Sequence, residues 1–374
     1  MIYLHIPFCK QKCSYCNFHF STSLKLKEEM LSAMKKEITM RGGELQDKTL
    51  RSLYFGGGTP SVLSSDEIRS LLDQILQHHN FAPDIEITLE ANPDDLDSAF
   101  VKGLRSAGIN RLSIGTQSFH DAELKFMNRA HNAAQAEDSI KRVQDSGIEN
   151  ISIDLIYGSP VSDTDIWKQN LEKTAALQVP HISSYALTVE PKTALSAWIS
   201  QNKIQQPSES EQNLEFHLMC DFLKANGFDH YEISNFARPG FYSQHNSAYW
   251  KYSPYLGIGP SAHSYDGSDR RSWNLANNIL YIRELEAGRL PSESEHLSAK
   301  DRFNEMVMTG LRTSRGVDLR KLQQLCGDDL MEHLKHESRS KLEDGLLILA
   351  ENHMKIPEKH WFLADGIASD LFKL

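Results

Sequence analysis

Three cysteines stand within eight residues near the start of the chain, as Cys9-Lys-Gln-Lys-Cys13-Ser-Tyr-Cys16. Thiolates so spaced can wrap one metal centre from a single loop. Structural zinc sites normally take four ligands in paired Cys-x-x-Cys units. No second pair follows here, because Cys220 and Cys326 are isolated. Isolated cysteines are more often buried apolar side chains than ligands. An iron–sulfur cluster usually takes four cysteines. Three leave one iron open to an external ligand, as catalytic metal sites keep one position open. A cluster with an open iron and a zinc centre are the two readings at this point. The odd total of five cysteines, without a secretion signal, speaks against a disulfide framework.

The elements that must position this loop are short apolar, β-branched runs. They are Ile2–Ile6, Ser52–Phe55, Ile85–Leu89, Arg111–Ile114, Ile151–Ile156 and Ile182–Leu187. Helical patterns lie between them, such as Lys27–Met40, Asp66–His78, Asp97–Ala107 and Gln135–Ser146. Strand and helix alternating in this way predict a parallel sheet with crossover helices. Six strands fall short of the eight of a full barrel. The expectation is a partial (βα)6 barrel, with a doubly wound sheet as the alternative.

The loops after these strands carry the polar and glycine residues. Gly56-Gly57-Gly58-Thr59-Pro60 follows the second, and Glu90-Ala91-Asn92-Pro93 ends the third. Gly115-Thr116-Gln117-Ser118-Phe119 follows the fourth. Asp154 and Tyr157-Gly158-Ser159-Pro160 close the fifth. A single Gly-Pro loop is a plain turn. Four in succession at the same end of successive strands point to one common mouth, where α/β barrels place their chemistry.

Lys192–Pro207 is polar and reads as a surface excursion, and an aromatic stretch runs from Tyr231 to Trp273. After Pro291 the pattern turns helical, over Ala299–Thr313, Leu319–Cys326 and Leu330–Glu343. Short apolar runs follow near Leu346–Leu349 and His360–Leu363. The expected division is residues 1–290 for the barrel with its extension and 291–374 for a small, winged-helix-like domain. That shape alone does not imply DNA binding.

Composition narrows the function classes. The chain has 374 residues and 40% hydrophobic content, enough for a sizeable core. Net charge is −10, from 40 Lys and Arg against 50 Asp and Glu. An acidic surface without clustered cations argues against nucleic-acid partners. No run of eighteen apolar residues occurs, so no membrane span is expected, while peripheral association stays open. The start reads as a first strand rather than a signal peptide, which places the protein in the cytoplasm.

Cys-x-x-x-Cys-x-x-Cys after a first strand resembles the signature of radical S-adenosylmethionine enzymes. The resemblance implies a [4Fe–4S] cluster on Cys9, Cys13 and Cys16, with the amino and carboxylate groups of S-adenosylmethionine on the open iron. It also implies that Gly57-Gly58-Thr59-Pro60 meets the methionyl amino group. Tyr3-Leu-His-Ile-Pro-Phe-Cys9, Phe55-Gly-Gly-Gly-Thr-Pro60, Gly115-Thr-Gln-Ser-Phe119, Asp154-Leu-Ile-Tyr-Gly158 and Tyr231-Glu-Ile-Ser-Asn-Phe236 are similar to motifs of the oxygen-independent coproporphyrinogen oxidase family. By that similarity Tyr3, Tyr15, Gly57, Gly58, Thr59, Glu90, Gln117, Arg129 and Asp154 should line the cofactor site. The chemistry is consistent. Arg129 can pair with a carboxylate through its fork, Glu90 can balance positive charge, and Gln117 and Asp154 can bond ribose hydroxyls.

The chain departs from the oxidases in two places. They carry a further cysteine two residues beyond the third, where this sequence has Phe18, and they have an extension ahead of the first strand, where this sequence has only Met1 and Ile2 before Tyr3. Both departures, with His245-Asn-Ser-Ala-Tyr249-Trp250, resemble the HemW subfamily. That resemblance implies a heme chaperone that binds heme and hands it to an acceptor protein. Coproporphyrinogen III oxidation is the alternative. Imidazole is a good axial ligand for heme iron, which makes His245 the candidate. Tyr249 and Trp250 would offer aromatic surface to the macrocycle. From side-chain chemistry alone, a hydrogen-bonded His beside a buried Trp reads first as structure, and the match to the whole motif is what favours the heme ligand.

Overall fold

The computed structural model describes residues 1–374. Six strands run parallel: β1 (Ile2–Ile6), β2 (Thr49–Gly57), β3 (Asn80–Ala91), β4 (Arg111–Gln117), β5 (Asn150–Tyr157) and β6 (His181–Ala186). They lie in the sheet in chain order. A doubly wound sheet reverses its order at a switch point. This one does not, so the architecture is the partial barrel. The antiparallel strands β7 (Asp229–Glu232) and β8 (Asn235–Ala237) extend it beyond β6, and β9 (Leu256–Ile258) adds in parallel to β1. β7 and β9 are the two free edges, so the barrel stays open.

Crossover helices cover the sheet: α1 (Lys27–Arg41), α2 (Ser65–Leu76), α3 (Ser98–Ala107), α4 (Asp121–Phe126), α5 (Ala133–Asp145) and α6 (Thr164–Ala176). Their starts are written locally. Ser64 with Glu67, and Asn132 with Gln135, form reciprocal capping boxes on α2 and α5. Asp97 caps α3, and Gly108 ends it in the left-handed conformation. In α2 the buried Ile68, Leu71, Leu72 and Ile75 form one helical stripe. Such stripes meet strand residues such as Leu4, Leu53, Leu89, Leu112 and Ile153 in one continuous core.

The polar stretch Lys192–Pro207 is not simply a surface excursion. It holds α7 (Ala194–Ser200), capped by Thr193. One buried side chain, Leu195, packs with Leu124, Met127, Ile156 and Leu187. Its amide donates to Ser14 O at 2.9 Å, so this helix ties down the cysteine loop.

Beyond α8 (Glu209–Ala225) and α9 (Gln244–Trp250), β10 (His263–Tyr265), β11 (Arg270–Asn274) and β12 (Ser292–His296) make a small antiparallel sheet, with α10 (Asn278–Glu286) between its last two strands. The expected division after residue 290 therefore falls between two paired strands. The helices expected after it are α11 (Ala299–Leu311), α12 (Leu319–Cys326) and α13 (Asp328–Glu343). β13 (Val317–Asp318), β14 (Ile348–Ala350) and β15 (His353–Lys355) form a three-stranded antiparallel sheet beside them. No helix is long and apolar enough to cross a membrane.

Candidate cofactor site

The parallel strands end on one cavity of about 490 Å³. Cys9, Cys13 and Cys16 line it from the loop after β1, with Tyr15 among them. Gly57, Gly58 and Thr59 reach it from β2, Glu90 and Asn92 from β3, Ser113, Gly115 and Gln117 from β4, and Asp154 from β5. Arg129 enters from the turn after α4. Tyr3 does not line this cavity. It faces a neighbouring cleft, where its hydroxyl meets His5 Nδ1 at 3.3 Å.

The cysteine loop is held at several points. Cys9 N donates to Ser21 O at 3.0 Å, and Ser14 N to Met127 O at 3.1 Å. Thr59 Oγ1 donates to Cys9 Sγ at 3.4 Å, and Arg129 Nη1 to Cys13 Sγ at 3.2 Å. Gly58 is fixed by packing: a Cβ there would lie 2.5 Å from Phe8 O. The end of β2 therefore presses on the backbone immediately before Cys9. The three sulfurs face one space, but no trio of Cys, His, Asp or Glu is gathered at ligating distance. Burial pushes the Cys9 thiol up to about 11, opposed by the Thr59 hydrogen bond, and burial raises Cys16 as well. These thiols hold their protons until a metal displaces them.

Glu90, Asp154 and Glu190 bring carboxyl groups to the cavity, and the pKa of each of the first two is shifted. Burial raises Glu90 to about 7, opposed by the bond from Tyr54 Oη at 2.8 Å, and Asp154 nearby raises it further. Asp154 is raised to about 6 by burial, while Ser113 Oγ donates to it at 3.1 Å. Both are poised to gain or lose charge near neutrality, a common property of working sites. Gln117 is held in the left-handed region, at φ 65°. For a residue other than glycine that is a costly conformation, of the kind stored at functional sites.

Arg129 is the cation at this mouth. Its Nη2 donates to Asn92 Oδ1 at 2.7 Å and to Gly115 O at 2.8 Å. Its buried Nε has no partner within the chain. A buried unpartnered donor is costly, and a ligand carboxylate would satisfy it. Asn92 and Ser113 carry no expected role from sequence, yet they orient Arg129 and Asp154. Ser113 was findable: it lies two residues before Gly115 on β4, so strand alternation puts both on one face.

His245 stands apart from this cavity. It sits in α9, whose first amides, of Gln244 and His245, donate to Glu86 at 2.9 and 3.0 Å. The ring is 1% exposed. Ser52 Oγ engages Nδ1 at 3.0 Å, and the Tyr249 hydroxyl engages Nε2 at 3.2 Å. Neither nitrogen is open to an iron in this arrangement. Burial lowers the ring to about 3, so it stays neutral across the physiological range.

The sequence was compared with known proteins. The Radical SAM superfamily model matches residues 3–168, and the HemN C-terminal domain model matches 297–363. The heme chaperone HemW of Lactococcus lactis is 36% identical over 321 residues, covering 86% of this chain and 83% of that protein. The heme chaperone HemW of Bacillus subtilis is 31% identical over 369 residues, covering 98% and 97%. The chain belongs to the HemW family. Among solved structures, the coproporphyrinogen III oxidase HemN of Escherichia coli superposes with a TM-score of 0.84 over 100% of this chain and 89% of that one, at 24% identity. This likeness establishes the shared fold, a radical S-adenosylmethionine barrel with a helical C-terminal domain. The resemblance read from Tyr3–Cys9, Phe55–Pro60 and the His-Asn-x-x-Tyr-Trp motif thus leads to the same family. The span matched by the Radical SAM superfamily model includes the strand ends and loops from β1 to β5 that line the cavity.

Proposed function

We propose that this HemW-family chain is a heme chaperone that holds a [4Fe–4S] cluster and S-adenosylmethionine in the cavity at its strand ends and passes heme to an acceptor protein. The observation that carries the reading is the convergence of three thiols, an unpartnered arginine donor and the carboxyl groups of Glu90 and Asp154 on one mouth, in a chain related over nearly its whole length to proteins named heme chaperones. When bound, the cluster supplies a one-electron redox centre with an open iron. Cys9, Cys13 and Cys16 would hold it, and Arg129 would receive the methionyl carboxylate through its free Nε. Glu90 would balance the ammonium, while Gln117 and Asp154 meet the ribose hydroxyls. At the position where oxidases carry a further cysteine, Phe18 is 71% exposed and offers no ligand.

The test is a heme titration of anaerobically reconstituted protein, with a product assay on coproporphyrinogen III in parallel. Uptake of about one heme per chain, the one-site expectation for a single axial ligand, is expected without protoporphyrinogen formation. Catalytic formation of protoporphyrinogen would establish the oxidase instead, and no heme uptake would remove the chaperone reading.

The carboxyl environment gives a second expected result. Glu90 is charged above about pH 7 and neutral below it. Only the charged form balances an ammonium. S-adenosylmethionine should therefore bind about tenfold more weakly near pH 6 than near pH 8, since protonation of one group competes with the ligand. The change it induces in the paramagnetic resonance spectrum of the reduced cluster reads this out. Glu90→Gln should flatten the profile. A flat wild-type profile would remove Glu90 from the site.

A further inference from the structure

A second cleft, of about 470 Å³, adjoins the cofactor cavity. Gly57, Glu90 and Phe18 line both. The rest of its wall includes His5, His19, His263, Tyr249 and Tyr255. Three imidazoles in one cleft beside a buried cofactor site are chemistry that the cofactor reading does not use.

The three differ in what their nitrogens are doing. His5 is buried, with Nδ1 taken by the Tyr3 hydroxyl and Nε2 by His19 O at 2.9 Å. It therefore fixes the backbone of the loop at His19. The ring of His19 is half-buried, and its Nε2 donates to Asn278 Oδ1 at 2.7 Å. With the proton on Nε2, the lone pair is on Nδ1, which has no hydrogen-bond partner in the chain. Metal-binding histidines are oriented in just this manner, one nitrogen donating to an oxygen and the other free for the metal. His263 is exposed on β10, beside Trp273, and no hydrogen bond orients its ring, which sets it apart from the His19 ring held by Asn278.

The remaining walls are aromatic. Tyr249 meets Tyr255 edge-on with ring centres 4.8 Å apart. Phe18, largely exposed, stands next to His19 in sequence. Flat aromatic surface around one imidazole that is both oriented by a hydrogen bond and free at its other nitrogen suits a flat iron macrocycle.

Resting on the chaperone reading, we propose that heme docks in this second cleft with His19 Nδ1 as its axial ligand. Phe18, Tyr249 and Tyr255 contact the porphyrin, and Asn278 orients the His19 ring. His245 is a positioning residue: its Nε2 holds the hydroxyl of Tyr249, one helical turn further on, and so sets one wall of the cleft. This placement puts the carried heme against the wall formed by Gly57 and Glu90, next to the S-adenosylmethionine site.

The experiment titrates ferric heme into cluster-reconstituted wild type, His19→Ala, Asn278→Ala and His245→Ala, with iron and sulfide content checked first. Affinity and the heme paramagnetic resonance signal are read. His19→Ala should bind about tenfold or more weakly and lose the wild-type axial signature, and added imidazole should restore that signature. Asn278→Ala, far from the cysteines in sequence, should weaken binding about tenfold while keeping the signature, as loss of a ligand's oxygen partner does. It keeps the proposal testable if His19→Ala loses its cluster. His245→Ala should keep the signature. If wild type binds heme but both His19→Ala and Asn278→Ala match it in affinity and signal, the cleft assignment is overturned and the chaperone reading stands. A changed signature in His245→Ala alone also overturns the assignment. Wild type that takes up no heme overturns both.

Discussion

Replacing any one of Cys9, Cys13 or Cys16 by alanine should abolish the cluster, from about four iron and four sulfide per chain to near none. With three protein thiolates the cluster already has one iron without a protein ligand. Two would leave it held by a single edge. No alternative trio of Cys, His, Asp or Glu is gathered elsewhere in the chain to take the metal instead. Cys220 lies in α8 and is buried in the core, and Cys326 lies at the end of α12, so Cys220→Ala and Cys326→Ala should keep full iron and sulfide. The alanine variants should remain folded, because the loop is also held by Ser14, Ser21 and Thr59 through backbone bonds that need no thiol. Unchanged iron in all three single variants would sink the cluster assignment. One zinc in place of iron and sulfide would favour the other metal.

The cysteine loop, the strand-end loops and the six parallel strands were legible because each is written in contiguous residues. β1 to β6 place apolar residues at alternate positions, as in Ile2, Leu4 and Ile6 or Ile151, Ile153 and Leu155, and a period of two marks a strand without its neighbours. What stayed hidden depends on partners far away in sequence. β9 is only three residues long and exists because it pairs with β1 at the other end of the chain. Leu195 and Ile199 sit in a largely polar stretch, and their packing with Leu124 and Ile156, distant in sequence, makes a helix there worthwhile. His245 shows the same limit at a side chain. Its motif displays an imidazole, but not that Ser52, 193 residues away, engages one nitrogen. The orientation of His19 rests on Asn278, 259 residues further on, so no local pattern could single out His19 over His245.

Glu37→Ala should be among the most destabilising single changes, at about 3–5 kcal/mol, the usual cost of leaving a buried charge without its partner. Glu37 lies on the core-facing side of α1 and is fully buried. Its Oε1 accepts from Arg41 Nη1 at 3.0 Å and from Asn274 Nδ2 at 2.7 Å. Its Oε2 accepts from Gly259 N at 2.8 Å and from the Tyr281 hydroxyl. One carboxylate thus joins α1 to β9, β11 and α10. Arg41 keeps Glu44, Gly257 O and Ser264, which limits its own loss, but Asn274, Gly259 and Tyr281 lose an acceptor that water cannot easily replace. Glu37→Gln should cost less, since one oxygen still accepts, although its amide must face donors. The midpoint of urea unfolding measures both. Because Asn278 begins α10 and holds His19, and His263 lies between Gly259 and Asn274 in sequence, this carboxylate also braces residues of the second cleft. Heme affinity should therefore fall in Glu37→Ala under conditions where iron and sulfide are retained. A midpoint equal to wild type would show that the surrounding donors repack without the carboxylate, and would remove Glu37 as a brace of the cleft.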